Sequence, residues 1–287
     1  NHSDLTIFPS AGGKCDTPIS TVSEWETRRA DIMVGAQAVM GELPDMSKMP
    51  PLDVRVEATT TTATYVRHTI TYVAEANDQM RTPAFLYVPA GVHDGVETKA
   101  PCVLAVHPTS DAGKSYAEQR SPPLYYAGEL AALGYVVIAP DYPTMGGLAS
   151  YDCAHQQHAS CTIKGVVNHM RAVDVLETLS YADVGRLASI GHSLGGHNAI
   201  FAALYDARIK VVTSSCGWTP WSYYESHLAL NASWGLPKYM PRISSVYGGD
   251  AARIPVDFYE MVAALAPRPF FSNSPWTDFN FNVTGVM

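Results

Sequence analysis

The stretch RLASIGHSLGGHNAIFAALYDARIKVV, residues 186–212, decides the fold. It predicts a short buried strand, a glycine-rich turn centred on Ser193, a helix and then a second strand. A serine in a G-x-S-x-G turn between a strand and a helix is held in a strained conformation, and its neighbours must be small. Gly191 and Gly195 meet that demand. The motif therefore predicts that Ser193 is an exposed nucleophile.

The same alternation of strands and helices continues on both sides of this stretch. Short apolar runs predict strands, and amphipathic segments between them predict helices; the strands are 101–107, 135–143, 186–191, 209–216 and 268–275, and the helices are 125–134, 165–179, 194–206 and 251–267. Segments 64–75 and 80–89 alternate in period two and predict an antiparallel hairpin. The fold class is therefore α/β, with a mostly parallel sheet covered by helices on both faces.

The chain divides into an N-terminal part and a main domain. We expect residues 1–60 to form an arm and a helix, which starts at the N-cap Ser23, packed on a domain formed by residues 61–287. Residues 217–248 interrupt the alternation with an aromatic-rich insertion. This insertion is either an ordinary packed segment or a pocket wall above the carboxyl ends of the strands. The second interpretation predicts four substrate-pocket residues: His107, Trp218, Trp221 and Tyr223.

Composition excludes several classes of partner. The chain has 287 residues, of which 47% are hydrophobic and 16% charged, and its formal net charge is −8. Such a chain can bury a large core, which argues against a disordered protein. No cluster of Lys and Arg is present to neutralise phosphates, and no apolar run has the length of a membrane span. We therefore expect neither a nucleic-acid partner nor a membrane partner.

The segment CAHQQHASC, between Cys153 and Cys161, allows three interpretations. The two thiols form a disulfide, or they bind a metal together with His155 and His158, or they remain free in a polar loop.

Two features bear on localisation, the glycosylation sequons and the first residue. Glycosylation sequons start at Asn1, Asn231 and Asn282. Their presence favours a secreted or extracytoplasmic protein over a cytoplasmic one. The first residue is not Met, so we expect a processed or trimmed product whose removed end could have carried a targeting segment.

Two backbone N–H groups are candidates for stabilising an oxyanion. Leu194 opens the helix after Ser193, so its N–H lies at a helix N-terminus, where negative charge is favoured. A second donor is expected from the loop after an earlier strand, and the segment VLAVHPTSDAGK offers the N–H of Thr109. His107 ends that strand, and we expect it to hold the loop by hydrogen bonds rather than to act as a base.

Several motifs together resemble a known family. The strand–GHSLGG–helix unit, HPT, VVIAPDYP and APRPFFSNSPWTD are similar to α/β-hydrolases of the dienelactone-hydrolase and prolyl-oligopeptidase-like group, over roughly residues 80–287. The resemblance implies a serine carboxylic-ester hydrolase that forms an acyl-enzyme on a small-molecule, sugar or aryl ester and needs no metal or organic cofactor. Dienelactone hydrolase itself has a Cys nucleophile, so Ser193 favours an esterase. The alternatives are a serine peptidase and an inactive hydrolase-fold binding protein.

The resemblance places the catalytic acid after the strand at 268–275, where Asp278 matches; Asp250 and Asp257 are weaker candidates. The family's catalytic His follows the acid, but all ten histidines precede Asp278. Three explanations are open: the His lies beyond the end of this chain with a last helix and strand, an upstream residue such as His227 replaces it, or the protein is not catalytic. His192 and His197 flank the turn and are expected to be structural.

Without a last strand, the strand at 268–273 would be an exposed sheet edge. We then expect an oligomer or a partner chain to cover it.

Overall fold

The fold is described by a computed structural model, which covers residues 5–9, 15–95, 98–118, 124–154, 158–224 and 229–287. The strands are β1 (Ile7–Pro9), β2 (Cys15–Pro18), β3 (Arg55–Thr61), β4 (Tyr65–Tyr72), β5 (Thr82–Pro89), β6 (Ala100–Val106), β7 (Val136–Pro140), β8 (Ala182–His192), β9 (Ile209–Ser215) and β10 (Phe270–Asn273). The helices are α1 (Val22–Met40), α2 (Ala90–His93), α3 (Tyr126–Ala132), α4 (Cys161–Glu177), α5 (Leu194–Tyr205), α6 (Arg242–Ser245) and α7 (Phe258–Ala263).

The main sheet has eight strands in the order β10-β9-β8-β6-β7-β5-β4-β3. The strands from β7 to β10 across this order pair in parallel, whereas β5, β4 and β3 pair antiparallel at the other end. Helices cover both faces, because one hydrophobic cluster includes residues of α1, α4, α5 and α7 and a second includes residues of α3. The predicted α/β class, with a mostly parallel sheet, is therefore confirmed.

Helix α5 lies at the centre of the larger cluster. All of its residues from Leu194 to Leu204 are buried. It packs against β6, β8 and β9 on one side and against α4 and α7 on the others. A helix that is apolar all round must be enclosed, which explains why the predicted one-sided amphipathic pattern is absent here. Its N-terminus is thereby fixed at the carboxyl ends of the parallel strands.

Two helices differ in detail from the sequence prediction. The N-cap of α1 is Thr21 and not Ser23. The Thr21 hydroxyl oxygen accepts the N–H of Glu24, and the Glu24 carboxylate accepts the N–H groups of Ser20 and Thr21. The predicted helix at 251–267 is wrong over most of its length, because α7 starts only after its N-cap Asp257. Pro255 disfavours helical backbone in the residue before it and explains the late start.

Strand β3 was not predicted. All of its residues are exposed, and its side chains include a run of threonines that gives no alternating apolar signal. It pairs with β4 over Arg55–Thr61 and so extends the main sheet into the N-terminal 60 residues.

A buried ionic cluster lies between α4 and the segment that follows β4. Lys164 is completely buried and donates to Glu75 (2.5 Å) and Asp78 (2.6 Å). His158 also contacts Glu75, at 3.0 Å. Burial raises the pKa of Glu75, but the hydrogen bond from His158 and the charge of Lys164 outweigh it and lower that pKa to about 2. Glu75 therefore stays ionised down to acidic pH because His158 and Lys164 stabilise its carboxylate.

The disulfide interpretation of the CAHQQHASC segment is confirmed. Cys153 and Cys161 are bonded, with 5.4 Å between their Cα atoms, and both are buried. His155, the other histidine of the proposed metal site, lies outside the described residues. In the described part of the chain, no group of three or more His, Cys, Asp or Glu residues is placed to hold a metal ion. No helix there has both the length and the apolar character needed to cross a membrane.

Candidate active site

Ser193 occupies the sharp turn between β8 and α5. Its backbone has φ 55° and ψ −120°, a region that residues other than glycine rarely adopt. The turn is tight enough to exclude side chains on either side: a Cβ on Gly195 would lie 2.1 Å from the carbonyl oxygen of Val106, and one on Gly191 would lie 2.3 Å from the Gly195 backbone. These glycines let the turn pack against β6 while Ser193 faces the pockets described below.

The carboxyl ends of three neighbouring strands are held in register beside Ser193. The Ser193 N–H donates to the Ser215 carbonyl (2.9 Å), and the Cys216 N–H donates to the Asn273 carbonyl (2.8 Å). The Asn273 side-chain amide also donates to the Ser215 hydroxyl, at 3.2 Å. The end of β10, and the loop that follows it, are thereby held close to the turn at Ser193.

Asp278 lies in that loop and faces the same space as Ser193. The two residues share a pocket of about 290 Å³, here called the Asp278 pocket. Its lining residues are His192, Ser193, Cys216, Pro275, Thr277, Asp278, Phe279, Asn280 and Phe281. The Asp278 Oδ1 atom accepts the N–H groups of Asn280 (2.9 Å) and Phe281 (3.0 Å), which orients the carboxylate. The other two candidates for the acid cap short helical turns: Asp250 accepts the Ala252 N–H, and Asp257 accepts the Phe258 N–H.

A second, smaller pocket also borders Ser193. It has a volume of about 60 Å³ and is here called the aromatic chamber. Its lining residues are Thr109, Ser193, Leu194, His197, Tyr224, Ser233, Trp234, Tyr239 and Phe281. The Thr109 hydroxyl lies 2.9 Å from the Tyr239 hydroxyl, which ties the loop after β6 to the insertion. Both predicted oxyanion residues, Thr109 and Leu194, therefore border one chamber with Ser193.

The backbone N–H groups of Thr109 and Leu194 make no hydrogen bond to any residue that the structure describes. Leu194 is also the first residue of α5, so its N–H has no partner within the helix. These are the groups that would stabilise an oxyanion formed at Ser193.

The described histidines near Ser193 are engaged elsewhere. His107 is buried: its Nε2 atom accepts the Tyr142 N–H (3.0 Å), so its Nδ1–H donates to the Pro108 carbonyl (2.7 Å). Nδ1 of His192 lies 3.4 Å from the Ser215 hydroxyl, and Nδ1 of His197 donates to the Gly217 carbonyl at 2.9 Å. Burial lowers the pKa of all three, that of His197 to about 3. Among described residues, no histidine hydrogen-bonds the Ser193 hydroxyl. His227 lies outside them.

The four predicted substrate-pocket residues line neither pocket. His107 holds the loop after β6 through its hydrogen bonds with Pro108 and Tyr142. Trp218 is buried and donates to the Ser272 hydroxyl, and Trp221 is buried and donates to the Val256 carbonyl. Tyr223 is 38% exposed and packs beside Gly285.

Other aromatic residues form the chamber walls, and none of them was among the predicted pocket residues: Tyr224, Trp234, Tyr239 and Phe281. The aromatic richness of the insertion was the available signal. It indicated a packed aromatic segment, but an irregular segment has no periodicity from which to tell the side chains that face a pocket from those that face the core.

Two buried ring nitrogens at the aromatic chamber stay unpaired. Nε2 of His197 and Nε1 of Trp234 have no hydrogen-bond partner among the described residues. His197 is 2% exposed and Trp234 4% exposed, and their ring centroids are 4.2 Å apart. Because a buried polar atom without a partner costs stability, such atoms mark places where a ligand group can pair.

Comparisons with known proteins agree with this architecture. A family model described as "Alpha/beta hydrolase family" matches residues 103–284. YtaP of Bacillus subtilis (strain 168) is 24% identical over 252 residues, which cover 82% of this chain and 76% of that protein.

Solved structures share the fold at low sequence identity. A glucuronoyl esterase from Solibacter usitatus has a TM-score of 0.71 and 20% identity, and the match covers 95% of this chain and 79% of that one. A CE15 esterase from a marine bacterial metagenome, described as promiscuous, has a TM-score of 0.74 and 17% identity, with 99% and 81% covered.

Proposed function

Since the chain belongs to the alpha/beta hydrolase family, we propose that it is a serine carboxylic-ester hydrolase in which Ser193 is the nucleophile. The observation that carries the proposal is the placement of Ser193 in a strained turn between two pockets. One pocket contains Asp278, and the other is bordered by Thr109 and Leu194, whose N–H groups donate to no described residue. This arrangement can attack a carbonyl and stabilise the charge that develops on its oxygen.

In the proposed mechanism, the Ser193 hydroxyl attacks the ester carbonyl carbon and gives its proton to a histidine base. The N–H groups of Thr109 and Leu194 donate to the tetrahedral oxyanion. The protonated base then gives its proton to the leaving alcohol, and an acyl-enzyme remains on Ser193. Water, activated by the same base, hydrolyses the acyl-enzyme and restores the hydroxyl.

Asp278 would hold the base in the correct orientation and stabilise its charged form. No described histidine hydrogen-bonds the Ser193 hydroxyl, so we propose that the base is a histidine outside the described residues. It would occupy the Asp278 pocket, between the Asp278 carboxylate and the Ser193 hydroxyl.

The proposed substrate is an ester with a sugar or aryl group. Structural neighbours named as glucuronoyl and CE15 esterases support a carbohydrate ester, and the aromatic residues around Ser193 support a substrate with apolar faces. The motifs GHSLGG and APRPFFSNSPWTD support placing the chain in the dienelactone-hydrolase and prolyl-oligopeptidase-like group. The Cys153–Cys161 disulfide supports a secreted or extracytoplasmic location.

Covalent labelling tests the nucleophile directly. A fluorescent fluorophosphonate should label the protein, and Ser193→Ala should abolish the labelling. Ser150→Ala, at an exposed serine outside both pockets, should label like the unmodified protein. Likewise, Ser193→Ala should not hydrolyse 4-nitrophenyl acetate, whereas Ser150→Ala should hydrolyse it like the unmodified protein. Labelling that persists in Ser193→Ala would show that another residue is the nucleophile.

A second function is a hydrolase-fold binding protein without catalysis. The observation that favours it is that no described histidine hydrogen-bonds the Ser193 hydroxyl. In that case, the unmodified protein would bind sugar esters saturably in calorimetry, yet would neither label with fluorophosphonate nor release alcohol.

A further inference from the structure

The two pockets at Ser193 differ in the chemistry that they can supply. Ser193 and Phe281 border both pockets. Asp278 borders only the larger one, and Thr109 and Leu194 border only the aromatic chamber. An ester bound at Ser193 therefore has a proton-transfer side and an oxyanion side.

This asymmetry assigns the two halves of the ester. The base that protonates the leaving alcohol must contact the acid that orients it, so the alcohol leaves on the side of Asp278. The carbonyl oxygen points to the N–H groups of Thr109 and Leu194. The acyl chain, which continues from the same carbonyl carbon and must avoid the alcohol, then lies in the aromatic chamber.

The aromatic chamber is small. In another protein, an apolar cavity of about 150 Å³ binds benzene, a six-carbon ring. By proportion, a volume of about 60 Å³ has room for about two carbon-sized groups beyond the carbonyl. The Asp278 pocket, at about 290 Å³, is several times larger and more open to bulky groups.

The side chains that form the chamber walls pack against one another and have little room to move. The Trp234 ring contacts the rings of Tyr224 and Tyr239, with centroid distances of 5.5 and 5.8 Å. On its other sides it contacts Trp221 (5.9 Å) and His197 (4.2 Å). Inserting extra methylenes into such a packed site forces side chains off their preferred rotamers. The unpaired nitrogens of His197 and Trp234 also make the wall partly polar, which further disfavours a long hydrocarbon chain.

We propose that the aromatic chamber is the acyl subsite and that it restricts the enzyme to acyl groups of two or three carbons. The sugar or aryl group of the substrate is then the alcohol, bound on the side of Asp278. The inference rests on the proposed function, because it requires an acyl-enzyme on Ser193. The acyl subsite also predicts that this protein does not hydrolyse glucuronoyl esters, because their acyl group contains a whole pyranose ring and is larger than the aromatic chamber.

The test is an acyl-length series on the full chain. We expect kcat/KM for 4-nitrophenyl acetate and propionate to be similar, and kcat/KM for the butyrate to fall at least about tenfold, since one methylene too many in a fitted pocket costs about that much. The octanoate and methyl glucuronate should not be hydrolysed measurably. Equal constants for acetate and octanoate, or turnover of methyl glucuronate comparable to that of an acetylated sugar, would overturn the acyl subsite and leave the esterase proposal standing.

Enlarging the chamber should shift the preference. Tyr224 is only partly buried, so Tyr224→Ala should fold, and it should raise the ratio of butyrate to acetate kcat/KM about tenfold. Tyr247→Ala removes another partly buried tyrosine of the insertion that lines neither pocket, and should leave the ratio unchanged. If circular dichroism shows that Tyr224→Ala does not fold, Tyr224→Leu replaces it, because Tyr224 borders only the aromatic chamber. An unchanged ratio in a folded variant would refute the subsite, whereas no turnover of any ester and no fluorophosphonate labelling would refute the proposed function itself.

Discussion

Replacing Ser193 by glycine should stabilise the folded protein while abolishing its activity. Ser193 has φ 55° and ψ −120°, and its side chain makes no capping hydrogen bond to α5. A non-glycine residue held in such a conformation costs about 1–3 kcal/mol. Glycine removes that strain, because it has no Cβ, but loses more chain entropy on folding than alanine does, by about 0.5–1 kcal/mol.

The informative comparison is Ser193→Gly against Ser193→Ala. Both variants lack the hydroxyl, and only the alanine variant retains the strain. Subtracting the entropy cost of glycine from the strain that it relieves gives a glycine variant whose free energy of unfolding is higher than that of the alanine variant by about 1 kcal/mol. For a domain of this size, that corresponds to a Tm higher by about 2–3 °C.

Urea unfolding followed by tryptophan fluorescence, with a thermal scan beside it, measures this difference. Ser150 serves as the matched control, because it is exposed and has no positive φ. At that position the glycine variant should be no more stable than the alanine variant. If Ser193→Gly is as stable as Ser193→Ala or less so, then the turn is not strained in solution and the argument for a preorganised nucleophile loses its main support.

Three further predictions concern the acid, the ionic cluster and the disulfide. Asp278→Asn should reduce kcat for 4-nitrophenyl acetate by about 10³-fold or more, because a histidine base would lose its orienting carboxylate; a loss under tenfold, with unfolding unchanged, would argue that Asp278 is not the acid. The pKa of Glu75 is about 2 in the folded protein and 4.5 ordinarily, so the stability that its pairing with Lys164 contributes is present above pH 4.5 and lost as the pH falls towards 2. In urea titrations, the free energy of unfolding of Glu75→Gln should therefore fall less on acidification than that of the unmodified protein. An identical fall in both proteins would contradict the pairing. Replacing Cys153 and Cys161 by serine opens a loop of sequence separation 8 and should lower the free energy of unfolding by about 2.5 kcal/mol, whereas an unchanged urea midpoint would show that the bond does not constrain the unfolded chain.

Much of the fold was predictable because its strands and helices have strong local signals. The turn at Ser193 is the clearest example, since a strand, the turn motif GHSLGG and an apolar helix follow one another without a break. The late start of α7 also has a local cause in Pro255, which the helical interpretation of 251–267 did not weigh. Strand β3 could not be found in this way, because it is exposed on both faces and is specified by its pairing with β4.

The site was predictable only in part, for a similar reason. Asp278 and Thr109 belong to short loops whose positions follow from the strands before them. The aromatic residues of the insertion pack by long-range contacts: Trp221 faces Phe258, while Trp234 faces His197. Nothing in the local sequence tells these two tryptophans apart, so the choice of Trp218 and Trp221 over Trp234 and Tyr224 could not be decided before the fold was known.

The hydrogen bonds that join the ends of β8, β9 and β10 place Ser193 and the loop of Asp278 beside each other, although a long segment separates β9 from β10 in the sequence. Ser193 is tied to Ser215, and Cys216 is tied to Asn273, so nucleophile and acid loop are positioned through strand register alone. From the start of that segment, Gly217 adds a close backbone contact with Gly196. Tyr224 and Trp234, which lie further along it, border the aromatic chamber, so replacing them should alter which ester is accepted more than it displaces Ser193 or the acid loop.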